Sequence, residues 1–137
     1  KSDFVITPHH GEAAQLLNLE KEVVSPDPFN FAFDVWQKTG GTVVLKGAPT
    51  LVASGELISA NVTGHRGLAT GGSGDVLSGI IGSFMAQGLT PEVAARVGVL
   101  IHGEAADYLL KKYGFRGLLA GDLLEVLPTV LSAYECN

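Results

Sequence analysis

A layered α/β fold is the architecture this amino-acid sequence predicts, and three observations carry it. Apolar runs of strand length are interspersed with segments of helical period. The run Thr42-Val43-Val44-Leu45 is β-branched and continuous, as in a strand covered on both faces. After Gly74 the apolar residues recur only at helical spacing, so the second half of the chain is helical.

Taken in order, Phe4-Val5-Ile6 opens as a strand already inside a sheet, closed by Thr7-Pro8. The segment from Glu12 to Leu19 carries Ala13, Leu16 and Leu17 in helical spacing. Ser25-Pro26-Asp27-Pro28 is a loop leading into a helix start. Phe29, Phe33 and Trp36 then form the apolar stripe of a helix, assigned to the core or a subunit contact, that closes at Gly40-Gly41. After the Thr42–Leu45 strand, Thr50 to Ala53 and Leu57 to Ala60 flank Ser54-Gly55-Glu56 as a hairpin. Asn61 to Gly74 has no period and is rich in glycine, which in a compact domain marks a functional loop. Val76, Leu77, Ile80, Ile81, Phe84 and Met85 give the stripe of the next helix. Thr90 and Pro91 cap and begin another, which runs to about Lys112. Asp122 is expected to cap a last helix through Leu131, with Pro128 kinking or breaking it.

The chain has 137 residues, enough for one domain, and residues 1–137 are read as a single unit without repeat or linker. Nine Lys and Arg against fourteen Asp and Glu give a net charge of −5, with no basic stripe. That excludes nucleic acid as the main partner. The longest uncharged stretch, Val76 to Pro91, is shorter than a membrane span and is broken by Gly, Ser and Gln. Lys1-Ser2-Asp3 shows no signal-peptide pattern. The single cysteine, Cys136, rules out an intrachain disulfide and fits a reducing, cytoplasmic setting.

Three segments carry chemistry. The sharpest is Thr70-Gly71-Gly72-Ser73-Gly74-Asp75, a glycine run entering a helix. Backbone amides there converge on one point at the positive end of the helix dipole, a place for a phosphate. Asp75 beside a phosphate would repel it, unless it takes the proton of a hydroxyl attacking that phosphate. The motif alone leaves open whether Asp75 is that base or only a helix cap. No Gly-Lys-Ser/Thr follows, so this is not a Walker A loop. Asp at position 75 also excludes a nucleophile elbow. The second segment is Lys46-Gly47-Ala48-Pro49-Thr50, at the carboxyl end of the buried strand, where α/β sheets bind ligands. Lys46 offers charge to a phosphate there, or else the segment is a plain turn. The third is Thr7-Pro8-His9-His10-Gly11-Glu12, in which His9 and Glu12 either meet a polar ligand, or Glu12 caps a helix and the two histidines lie in a surface loop. Adjacent histidines have poor metal-ligand spacing, and no metal-ligating residue is assigned. His102, between Ile101 and Gly103, reads as a satisfied core or interface histidine.

Taken together and in this order, the motifs resemble one family. Thr7-Pro8-His9-x-Gly11-Glu12, Val44-Leu45-Lys46-Gly47-x-x-Thr50 and Asn61-x-Thr63-Gly64-x-x-Gly67-Leu68-Ala69-Thr70-Gly71-Gly72-Ser73-Gly74-Asp75-Val76-Leu77 are similar to the ADP- or ATP-dependent NAD(P)H-hydrate dehydratases of the ribokinase-like superfamily. Ala86-Gln87-Gly88 and His102-Gly103-x-Ala105-Ala106-Asp107 extend the likeness over almost the whole chain. His65-Arg66 departs from it, where the family often has Asn-Pro.

The resemblance implies a ribokinase-like α/β/α fold present as its C-terminal half, with an N-terminal half or a second chain completing it. It implies repair of 6-hydroxylated NADH or NADPH at the cost of a nucleotide phosphate. Asp75 would be the general base and would contact the hydrated nicotinamide. His9 would contact the hydrated dinucleotide, and Gly71, Gly72, Ser73 and Gly74 would receive the transferred phosphoryl group. Lys46, Gly47, Ala48, Pro49 and Thr50 would line the site of ADP or ATP, accompanied by Mg2+. Open alternatives are a sugar or vitamin-precursor kinase of the same superfamily and a non-catalytic nucleotide-binding fragment. An exposed sheet edge would favour a homo-oligomer.

Overall fold

The computed structural model describes residues 3–19 and 27–135. Within them the order is β1 (Val5–Ile6), α1 (His10–Leu16), α2 (Pro28–Thr39), β2 (Thr42–Leu45), β3 (Thr50–Ser54), β4 (Leu57–Asn61), α3 (Ser73–Ala86), α4 (Pro91–Tyr113) and α5 (Ala120–Ser132). A single 3-10 turn, Arg66–Leu68, lies between β4 and α3. Lys1, Ser2, Ser25, Pro26 and Cys136, which figure in the sequence reading, lie outside the described residues.

The strands form one sheet in the order β1-β2-β3-β4. β1 runs parallel to β2, with Val5 opposite Thr42. β2, β3 and β4 are antiparallel neighbours, with Val44 opposite Val52 and Val52 opposite Ser59. Side chains alternate across a strand, so β2 and β3 divide their residues between two cores. Val43, Leu45, Leu51 and Ala53 face α1 and α2, packing on Ala13, Phe31, Ala32 and Val35. Val44 and Val52 face the other way onto Leu77 and Ile81 of α3 and Ala94, Ala95 and Val99 of α4. Each such fully buried Val or Leu stabilises the fold by about 2 kcal/mol. The sheet is thus covered on both faces, as the unbroken apolar character of β2 requires. α5 extends the second layer, packing Leu123 and Val130 against Leu109 and Leu118. Among the described residues no helix is long and apolar enough to cross a membrane.

Several helix details differ from the sequence expectation. α1 begins earlier, at His10, and buries Ala13 and Ala14, while Leu16 is 43% exposed. Two small alanines let the short helix lie close on the sheet, and the larger leucine is turned outward. α2 buries Phe31, Ala32 and Val35, with Phe29 left exposed. Phe33 and Trp36 instead pack against each other, their rings tilted by 41° with centroids 5.4 Å apart, at the margin of the core. The helix presents the wedge of i, i+1 and i+4, which a stripe drawn through the largest rings misses. Asp122 is not the N-cap of α5. It sits three residues beyond Leu119, whose amide donates to its carboxylate at 2.8 Å. Pro128 lies inside α5, which continues to Ser132 without a break.

Candidate functional site

The site gathers at the carboxyl ends of β1 and β2. Just past β1, the backbone of His9 lies across from Lys46 in a parallel bridge, and the Lys46 amide donates to Pro8 O at 2.8 Å. The parallel pairing therefore continues to the two segments singled out in the sequence and places them side by side. Behind them, the His10 ring lies 3.1 Å through Nδ1 from Lys46 O and stacks on Phe31. The Thr50 hydroxyl donates to Gly47 O at 3.1 Å, closing the turn Gly47-Ala48-Pro49-Thr50.

Glu12 occupies the third position of α1. Its amide donates to His9 Nδ1 at 3.1 Å, and its Oε2 accepts from the His9 amide at 2.7 Å. This reciprocal pair is a capping box with histidine in the usual Ser/Thr role. Because Nδ1 accepts, neutral His9 carries its proton on Nε2, which lies 3.6 Å from Glu12 Oε1. The same carboxylate lies 3.7 Å from Lys46 Nζ. Hydrogen bonding from the His9 backbone, helped by the Lys46 charge, holds the Glu12 carboxyl below its ordinary value.

The glycine segment meets this pair from the opposite side. Gly72, at φ +84°, adopts the left-handed conformation that turns the chain into α3. The Ser73 amide donates to Thr70 O at 3.2 Å and the Asp75 amide to Gly72 O at 3.1 Å. The amides of Gly71, Gly72 and Gly74 have no such backbone acceptor among the described residues. The first turn of α3 is thus half closed on itself and half open. A β-carbon on Gly74 would lie 3.2 Å from Lys46 Nζ, so the lysine ammonium lies beside that turn. Asp75, the next residue, is exposed. The distance relations bring together His9, Glu12, Lys46 and Gly74; Ala48 and Pro49 lie on the turn that follows Lys46.

Two buried or cross-sheet tethers fix the glycine segment, and the sequence reading assigned neither. Ser73, counted among the anion-binding residues, is itself buried and points inward, its Oγ 3.2 Å from His102 Nε2. His102 Nε2 also lies 3.0 Å from Ser73 O. Burial pushes the His102 imidazole below its ordinary value, so it is neutral and donates to that carbonyl. This agrees with reading His102 as a satisfied interior histidine. Thr7 Oγ1 lies 3.1 Å from Ser78 Oγ, and Ser78 donates to Gly74 O at 3.0 Å. The end of β1 is thereby tied to the first turn of α3.

The preceding stretch is anchored on α4. The Asn61 amide group donates to Val99 O at 3.2 Å, and Thr63 Oγ1 lies 3.1 Å from Leu100 O. The Gly64 amide donates to Asp107 at 2.9 Å. His65, one of the two residues that depart from the family pattern, accepts from the Gly67 amide at 3.0 Å and contacts Ala106 O through Nε2 at 2.9 Å. Arg66 lies over the Phe115 ring, 4.5 Å from its centroid. The substituted pair therefore makes specific anchoring contacts of its own. Beside Glu12, an open depression of about 450 Å³ is lined by Ile6, Thr7, Pro8, Glu12, Gln15 and Leu16.

Among the described residues there is no group of three or more His, Cys, Asp or Glu side chains able to hold a metal. A divalent ion at this site would therefore be held chiefly by the oxygens of a bound ligand and by water.

A glycine-led helix start lies against a lysine at a strand's end, in an α/β protein whose sheet is covered on both faces. Solved structures carry the same fold. The chain is similar to a ribokinase-like superfamily protein from Enterococcus faecalis, with TM-score 0.79 and 33% identity over 95% of this chain and 44% of that one. It is more similar in shape to an ADP/ATP-dependent NAD(P)H-hydrate dehydratase from Bacillus subtilis, co-crystallised with ATP and Mg2+ and soaked with CoA. There the TM-score is 0.89 at 29% identity, covering 96% of this chain and 49% of that one. The fold is therefore ribokinase-like, as the sequence resemblance implied.

The family model for NAD(P)H-hydrate dehydratase matches residues 1–129, and the chain belongs to that family. It is 48% identical over 128 residues to the bifunctional NAD(P)H-hydrate repair enzyme Nnr of Vibrio cholerae, covering 93% of this chain and 26% of that protein. It is 46% identical over 123 residues to the ADP-dependent (S)-NAD(P)H-hydrate dehydratase of Neisseria meningitidis, covering 88% of this chain and 42% of that protein. The chain thus spans between a quarter and a half of the length of these relatives.

Proposed function

We propose that residues 1–137 form the C-terminal portion of a single ribokinase-like domain that restores hydrated NADH or NADPH to the parent dinucleotide at the expense of ADP or ATP. The observation that carries this reading is the placement of the Lys46 ammonium against Gly74, with unpaired amides on one side and the exposed Asp75 carboxylate adjacent. That is a cradle for a phosphoryl group with a base at its edge.

Hydroxide is a poor leaving group, so the C6 hydroxyl of the hydrate must first become a phosphate ester. Asp75 removes the hydroxyl proton as the oxygen attacks the terminal phosphorus of the nucleotide, whose bond to the remaining nucleotide breaks. The amides of Gly71, Gly72 and Gly74 stabilise charge on the phosphoryl oxygens, with the helix dipole behind them. Ser73, whose amide is taken by Thr70 O and whose hydroxyl and carbonyl face His102, serves by holding the turn in place. Lys46 to Thr50 line the nucleotide, with the Lys46 ammonium offsetting phosphate charge. His9 contacts the hydrated dinucleotide beside the depression at Glu12. The ring nitrogen lone pair then expels phosphate from C6, and loss of a C5 proton restores the dihydropyridine. Magnesium, when bound, neutralises nucleotide phosphate charge. A cytoplasmic setting fits the lone cysteine, and the outer edge of β1, which pairs only with β2 among the described strands, offers a place for the remainder of the domain or a second copy of the chain to pair.

The test is to incubate the intact protein with hydrated NADH and either ADP or ATP, following reduced-nicotinamide absorbance and phosphate together. Both should rise in equal amounts. A stable phosphate ester with no regained dinucleotide would identify a kinase instead, and nucleotide binding without turnover a non-catalytic module.

A further inference from the structure

We propose that Glu12 is a positioning residue that couples the two walls of the site, holding His9 on the dinucleotide side and Lys46 on the nucleotide side with one carboxylate. The inference rests on the functional reading above and deepens it. One carboxylate oxygen, Oε2, accepts from the His9 amide at 2.7 Å to cap α1 and also faces Lys46 Nζ. The contact with Lys46 Nζ at 3.7 Å reaches another strand and adds nothing to the cap. Glu12 draws the ammonium to a place beside Gly74, so a flexible four-carbon stem ends near the first turn of α3. Glu12 and Lys46 side chains are 51% and 30% exposed, and an ion pair this accessible contributes little to folding. Its effect belongs to ligand binding, where a charge already in place loses less freedom when the phosphate arrives. The depressed Glu12 carboxyl keeps this partner ionised.

Glu12→Gln separates the two roles. Glutamine at the third helical position still completes a capping box but offers no charge to Lys46. In the intact protein, titrated calorimetrically with ADP and with ATP, Glu12→Gln should unfold like the parent and bind nucleotide about three- to tenfold more weakly. The KM for the hydrated dinucleotide should be unchanged, because the cap that sets His9 persists. In a Lys46→Met background the same substitution should have no further effect on nucleotide affinity. Unchanged or tighter nucleotide binding in Glu12→Gln overturns the proposal, as does an equal loss with and without Lys46. A parent protein that binds neither nucleotide removes the functional reading itself, whereas a binding parent with an indifferent Glu12→Gln removes only the positioning role.

Discussion

The ammonium of Lys46 lies 3.2 Å from the place a β-carbon on Gly74 would occupy, so the end of β2 and the first turn of α3 meet through a cation and a missing side chain. The backbone φ of Gly74 is not in the left-handed region, so what a side chain there would meet is the lysine and not backbone strain. The space beside it belongs to a charge.

Gly74→Ala should fold normally, because the atom it crowds is the far end of a flexible side chain. The displaced ammonium should weaken ADP binding about tenfold, read by calorimetry. Undiminished affinity would show that the placement of Lys46 against Gly74 is not needed for binding the phosphate.

Asp75→Asn should lower kcat by about 10²- to 10⁴-fold while nucleotide affinity holds or rises, since a carboxylate beside a phosphate is replaced by a neutral amide. Single-turnover kinetics with hydrated NADH measure the first quantity and calorimetry the second. Retained turnover would remove Asp75 from the chemistry.

Gly103→Ala should be severely destabilising. A β-carbon there would lie 2.6 Å from the Thr63 carbonyl carbon and 2.7 Å from its oxygen, both backbone atoms that cannot swing away. A loss of about 3 kcal/mol is expected in urea unfolding. Gly82→Ala is the control, with nothing within 4 Å of its β-carbon, and should gain up to about 1 kcal/mol from helix propensity.

His102 makes stability acid-sensitive. Burial lowers its folded-state pKa below the ordinary 6.5. Below that value the unfolded chain binds a proton the folded chain refuses, so stability falls as pH drops through 6.5 toward the folded value. His102→Gln retains a donor for Ser73 O without the titration. Its urea midpoint should therefore fall less between pH 7.5 and pH 5 than that of the parent, and parallel losses would refute the assignment.

How much of this was legible in the sequence varies by element. β2 was plain, because a strand covered on both faces has to be apolar at every position, and Val43, Val44 and Leu45 are. The start of α4 was equally plain: Thr90 accepts from the Val93 amide, and Pro91 needs no donor at the first helical position. The face of α2 was not. Phe29, Phe33 and Trp36 are apolar at helical spacing too, and only the seat of the helix on β2 and β3 selects Phe31, Ala32 and Val35.

The candidate site divides in the same way. Local chain chemistry alone marks a glycine run before a helix as an anion cradle and lysine at a strand's end as its charge, since both follow from backbone geometry and sheet polarity. Contacts between distant segments follow from neither. Glu12 reaches Lys46 only because β1 and β2 pair in parallel, and Ser73 turns inward only because α4 carries His102 beneath it. Propensity and period act over a few residues, whereas these pairings depend on which layers pack together, so the sequence determined the strands, the helices and the phosphate-binding segments, and the tertiary structure decided which side chains meet.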